Sequence, residues 1–151
     1  ESEFDGVFGE TFGLGSITPA SGFVDVSGAL AIGLVAGVIC YWATMYIKNT
    51  LKIDDSLDVF SVHGVGGIIG TLFAGVLVAA AYGGAGLAEG MTISGQLKVQ
   101  VIAIVATIIW SAIATYILLK LVDLLVSLRV DNDSELQGLD LSEHEEVGYN
   151  L

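Results

Sequence analysis

Basic residues and cysteines are scarce in this sequence. Five Lys and Arg stand against seventeen Asp and Glu, which gives a formal net charge of −12. This balance excludes nucleic-acid binding, which needs a basic patch. The single cysteine, Cys40, excludes an internal disulfide, and no cluster of Cys and His has the spacing of metal ligands. No nucleophile–base pair, phosphate loop or cofactor motif is present, so the sequence predicts neither an enzyme nor a cofactor.

The charged residues are few and are separated from long apolar stretches. They make up 15% of the chain, compared with about a quarter in a soluble domain. A transmembrane helix needs about 20 apolar residues, and three runs reach that length. The sequence therefore predicts an all-α integral membrane protein. The predicted spans are 26–47, 59–82 and 99–119, within a transmembrane region 17–126 that lies between an acidic segment 1–16 and an acidic tail 127–151.

The basic residues predict the orientation of the chain. Lys48 and Lys52 lie between the first two spans, Lys120 and Arg129 follow the third, and only Lys98 lies on the other side. The positive-inside rule therefore places the first loop and the C-terminus in the cytoplasm. Because the chain starts without a methionine and no signal peptide precedes the first span, we interpret it as a piece of a longer or processed polypeptide.

Polar residues precede all three spans and are predicted to cap the helices. Ser21 or Asp25 is expected to cap the first span, Asp58 the second, and Thr92 or Ser94 the third. A carboxylate at a helix start also interacts favourably with the helix dipole.

Three carboxylates cluster in the first loop, at Asp54, Asp55 and Asp58, beside Lys48 and Lys52. Helix capping and loop electrostatics at the membrane surface explain such a cluster better than a metal site does, although carboxylates are also ligands for hard cations.

His63 is predicted to lie about one turn inside the second span. An ionisable side chain within a membrane is rare and usually faces protein or a water-filled path. At α-helical spacing it would share a face with Gly66, Gly67 and Gly70, and small residues permit close approach of another helix. We therefore predict that His63 and Val59, one turn before it, border one narrow path inside a bundle. The alternative is that His63 only bonds a neighbouring helix.

Several stretches resemble the ammonium transporter family, which includes the Rh proteins. They are ITPASGFVDVSGAL at 17–30, DDSLDVFSVHGVGGIIGTLFAGV at 54–76, GLD at 138–140, and the tail residues 144–149. Residues 1–16 do not resemble the family's eighth helix. The resemblance implies an eleven-helix bundle, assembled as a homotrimer, in which these spans are the ninth to eleventh helices.

The resemblance also implies function. His63 matches the second of two histidines that face each other in the family's apolar pore, and the first belongs to an earlier helix. The expected substrate is ammonium or ammonia, and the expected location is the cell membrane. The tail of the family packs on the cytoplasmic face, contacts the neighbouring subunit and influences control by the PII signal protein. The residues that match it are Gly138, Asp140, His144 and Tyr149.

Two functions thus follow as hypotheses. The first is transport of ammonium or ammonia through a pore to which this chain contributes one histidine. The alternative is a membrane-embedded interaction or sensing module that keeps the scaffold and the tail but does not conduct, because three helices alone cannot enclose a pore.

Overall fold

All regular structure in the described residues is helical. The computed structural model describes residues 13–53, 55 and 57–144, and within these residues no strand occurs. Three helical stretches are long and apolar enough to cross a membrane, which confirms the prediction of an all-α fold with three helices of that length. They are Val26–Leu51, Phe60–Leu77 and Ile93–Leu125.

The first span begins where the sequence predicts. Helix α1, Val26–Tyr46, is capped by Asp25, whose carboxylate accepts a hydrogen bond from the Gly28 amide at 2.7 Å. Hydrogen bonds from the Gly28 amide and the Ser27 hydroxyl lower the pKa of Asp25, which lies just outside the span. The helix then widens into a π-helical turn, Ile47–Leu51, and ends at Lys52 in a left-handed conformation.

The second span is built from two kinds of helix. A π-helical segment, Phe60–Val65, leads directly into helix α2, Gly66–Leu77. The span ends five residues earlier than predicted, because the chain turns after Val78 and forms only a short 3₁₀ turn, Ala80–Tyr82.

The third span is longer than predicted. Helix α3, Ile93–Leu125, starts at Thr92, whose hydroxyl accepts from the Gly95 amide at 3.1 Å. Lys98 and Lys120 are 22 residues apart and therefore about 33 Å apart along the axis. This distance matches a hydrocarbon core of about 30 Å. The predicted span, 99–119, covers only the uninterrupted apolar part of α3. The helix itself continues beyond this part at both ends.

A short N-terminal segment, residues 13–20, crosses the first two spans. Residues 13–17 are helical and Thr18–Ala20 form a 3₁₀ turn. The backbone carbonyl of Ser16 lies against Gly70 so closely that a side chain at Gly70 would overlap it. The Ser16 hydroxyl would lie 2.7 Å from a Cβ at Gly66. The small residues of the second span therefore admit this segment.

Two small apolar clusters hold the first two spans together. The first cluster combines Ala36 and Cys40 of α1 with Val62 and Ile69 of the second span. The second cluster joins residues of α1, α2 and the N-terminal segment, namely Ala20, Ile32 and Ala74. The buried residues are mostly small, which suits the close helix packing of membrane proteins.

The acidic tail contains more regular structure than its composition predicts. Helix α4, Asn132–Gln137, is capped by Asp131, and helix α5, Leu139–His144, follows after Gly138. Hydrogen bonds from the Ser134 amide and hydroxyl lower the pKa of Asp131. A sequence rich in Asp and Glu is usually solvated and partly disordered, but local capping is sufficient to organise these two turns.

Candidate functional site

His63 lies on an exposed face of the π-helical segment. Val59 and Phe60 are also exposed, by 51% and 62%, whereas Ser61 and Val62 between them are buried. We refer to Val59, Phe60 and His63 as the His63 face. His63 is the one ionisable side chain in the second span. His63 and Val59, the two residues that the sequence predicts to border one path, are thus both exposed in this chain.

The glycines of the second span do not all lie beside His63. Gly66 and Gly70 are buried, and Ser16 packs against both. The prediction that they share the face of His63 is therefore wrong. Its spacing assumed an α-helix, but the amide of Gly66 donates to the carbonyl of His63 and also to that of Ser61, five residues earlier. This π-helical bond changes the rotation per residue. Gly67 is only half-buried, and a Cβ placed there meets no atom within 4 Å.

The start of the second span is capped by Asp55. Its two carboxylate oxygens accept hydrogen bonds from the amides of Val59 and Phe60, both at 2.9 Å. The sequence analysis assigned this role to Asp58, and the structure corrects that assignment. Asp58 takes a left-handed backbone conformation, with φ +54°, and its carboxylate contacts Lys48 rather than the free amides of the helix.

Asp58 instead forms an ion pair with Lys48. The Lys48 Nζ lies 2.9 Å from one carboxylate oxygen and 3.1 Å from the other. The Asp58 residue is 2% exposed, whereas the Lys48 side chain is 39% exposed. Sequence reasoning missed this contact, although opposite charges at the two ends of a short loop were a visible indication of it.

The carboxylates of the first loop are therefore divided between two tasks. Asp55 caps the helix and Asp58 pairs with Lys48, while Asp54 lies outside the described residues. Within the part of the chain that the structure describes, no group of three or more His, Cys, Asp or Glu is arranged to hold a metal ion.

The predicted tail residues occupy the turn between α4 and α5 and the helix that follows it. Gly138 has φ +96°, a conformation that favours glycine, and its carbonyl accepts from the amides of Leu141 and Ser142. Asp140 lies in the first turn of α5, where its negative charge suits the helix dipole, and His144 lies in the last turn. Tyr149 lies outside the described residues.

Comparison with known proteins identifies the family to which these features belong. The profile described as Ammonium Transporter Family matches residues 9–149. The chain belongs to the ammonium transporter family. The match begins eight residues before Ile17, so residues 9–16, which the sequence analysis placed outside the resemblance, lie within the range of the family.

Individual ammonium transporters agree with this assignment. The chain is 49% identical to ammonium transporter Amt1 of Archaeoglobus fulgidus and 36% identical to an ammonium transporter of Bacillus subtilis. Each alignment covers 95% of this chain and 36% of the relative. A solved structure named Sensor Amt Protein superposes with a TM-score of 0.79 at 34% identity, over 90% of this chain and 33% of that one. The chain thus spans about a third of the length of these relatives.

Proposed function

We propose that this chain supplies part of the pore of an ammonium or ammonia transporter, with His63 and Val59 lining the path. One observation carries the proposal: the only ionisable side chain of the second span lies on an exposed face of the chain, next to Val59, in a protein of this family. An ionisable group at membrane depth is costly against lipid, and its usual surroundings are protein or water. The remaining helices of the transporter would therefore cover the His63 face.

The chemistry of an imidazole suits this role. Ammonium must shed water to enter an apolar pore, and the loss of its hydrogen bonds is costly. A neutral imidazole offers one donor and one acceptor, and it exchanges protons near neutral pH. His63 would form a pair with a second histidine from another helix, so that neutral ammonia crosses beside a relayed proton. No enzymatic step and no cofactor is part of this proposal.

The proposed assembly follows the family. Eleven helices form each subunit, three subunits form a homotrimer in the cell membrane, and the three spans here are the last three. The tail would lie in the cytoplasm, where the PII signal protein acts. The tail residues that would regulate transport are Gly138, Asp140, His144 and Tyr149. The left-handed Gly138 between two helices supports a defined docking shape for the tail.

Transport itself is tested by current. The complete transporter, reconstituted in liposomes, is expected to give a current when an ammonium gradient is applied, and protein-free liposomes are the control. The alternative function is sensing, which the name of the structural neighbour, Sensor Amt Protein, favours for that protein. Protein that inserts and binds ammonium but carries no current would refute transport and support sensing.

The orientation is tested by cysteine labelling. Glu89 lies in the exposed loop before α3 and Asp133 lies exposed in α4, so a cysteine at either position is open to reagent. In intact cells a membrane-impermeant thiol reagent is expected to label Glu89→Cys, while Asp133→Cys reacts only after permeabilisation. The unmodified protein is the control, because its one cysteine, Cys40, is buried. The opposite pattern would reverse the proposed orientation.

A further inference from the structure

The loop between the first two spans contains a buried ion pair and an unusual backbone at the same residue. Asp58 is 2% exposed and contacts the ammonium group of Lys48, ten residues earlier at the end of the first span. Removing one partner of a buried ion pair is strongly destabilising, because it leaves a buried charge without compensation. The pair joins the end of the first span to the entrance of the second.

The backbone of Asp58 leads directly into the segment that carries His63. With φ +54°, Asp58 lies in the left-handed region, which few residues other than Gly, Asn and Asp enter readily. Its amide donates to the carbonyl of Asp55 at 3.2 Å, and its own carbonyl accepts from the amide of Val62 at 2.8 Å. Asp58 thus combines a left-handed conformation with a backbone acceptor for the first turn of the second span.

The start of these hydrogen bonds matters for which side chains face outward. Ser61 and Val62 are buried and His63 is exposed. A shift by one residue rotates the side chains of an α-helix by about 100°, and a wider π-helical turn also rotates them, by a smaller angle. Such a shift would turn His63 away from the exposed side of the chain on which it now lies. Left-handed strain at a residue other than glycine persists only where surrounding contacts hold it, and it is often found near functional sites.

We propose that the Lys48–Asp58 pair is a positioning device that holds Asp58 left-handed and thereby sets the rotation of His63 in the pore. The proposal rests on the function proposed above. Asp58 and Lys48 are positioning residues, because they act through the backbone that leads to His63. The alternative explanation is that the ion pair stabilises the fold and has no effect on the position of His63.

The test separates the charge from the backbone conformation. Lys48→Met leaves the Asp58 carboxylate buried without its cation and is expected to lower ammonium current per inserted transporter about ten- to hundredfold, the scale of lost alignment. Lys48→Met/Asp58→Asn removes both charges but keeps a residue that tolerates the left-handed region, so most of the current should return. Lys48→Met/Asp58→Ala is the matched control, since alanine tolerates that region poorly, and it should remain impaired.

A second measurement does not depend on conduction. In the variant His63→Cys, the labelling rate by a small thiol reagent reports where position 63 faces. We expect Lys48→Met to change this rate, Asp58→Asn to restore it in the double variant, and Asp58→Ala to fail to restore it. As a control, the same reagent is applied to protein in which His63 is unchanged, so that any labelling of the buried Cys40 is measured separately.

The outcomes distinguish the two proposals. Unmodified protein without current refutes transport, while the labelling series still decides the positioning role. With transport intact, unchanged current per inserted Lys48→Met protein would overturn the positioning role. Equal current and labelling in the two double variants would overturn it as well. If the variants differ from the unmodified protein in the amount of inserted protein, but not in current per inserted transporter or in labelling rate, the pair only stabilises the fold.

Discussion

Replacing His63 with alanine is expected to abolish most of the ammonium-driven current while the transporter still inserts and assembles. His63 is exposed in this chain and is a member of neither apolar cluster, so we expect both clusters to remain when it is removed. In the proposed pore, the group that is lost is one that would replace the hydration of ammonium. A hydrogen bond to a charged partner contributes about 1.5–3 kcal/mol. At 1.36 kcal/mol for each factor of ten, this corresponds to about a ten- to hundredfold fall in rate.

A second variant distinguishes conduction from folding. His63→Glu keeps an ionisable group at the same position, so it is expected to retain conduction but to discriminate less well against metal cations. The measurement is ammonium-driven and potassium-driven current in liposomes, divided by the amount of correctly assembled protein. Undiminished current from well-inserted His63→Ala protein would refute the conduction role. Loss of insertion in both variants would instead identify His63 as a structural residue.

The second large effect is expected at the crossing of the N-terminal segment and helix α2. A Cβ at Gly70 would overlap the backbone carbonyl of Ser16, and a Cβ at Gly66 would approach the Ser16 hydroxyl to 2.7 Å. Both substitutions to alanine are therefore expected to destabilise the protein, by about 1–3 kcal/mol as in other overpacked interiors. The effect is measured as a lower midpoint of thermal unfolding and as a smaller yield of assembled protein.

The substitution Ser16→Ala is expected to restore stability to Gly66→Ala but not to Gly70→Ala. Ser16→Ala removes the hydroxyl that opposes Gly66, and the Ser16 Cβ would lie 3.9 Å away, an ordinary contact distance. Stability should therefore recover in Gly66→Ala/Ser16→Ala. The overlap at Gly70 involves backbone, which no side-chain substitution removes, so Gly70→Ala/Ser16→Ala should stay destabilised. Equal recovery in both double variants would show that the segment does not cross α2 in this way.

Much of the architecture was predictable from the sequence because it depends on local properties. Apolar runs of sufficient length determine membrane spans wherever they occur. Asp25 and Thr92 cap helices through amides only three residues away, so their neighbours along the chain decide the contact. The match of His63 and its surroundings to the family also needed no coordinates.

The tertiary structure alone decided the details of the candidate site. Which carboxylate caps the second span depends on the backbone of Asp58, which is left-handed and pairs with a lysine from the previous span. Which glycines flank His63 depends on a π-helical segment that no apolar periodicity reveals, since its hydrogen bonds shift the rotation of every later residue. Local composition predicts three helices long enough to cross a membrane, whereas the exposure of His63 follows from a π-helical segment and from buried neighbours that only the tertiary structure shows.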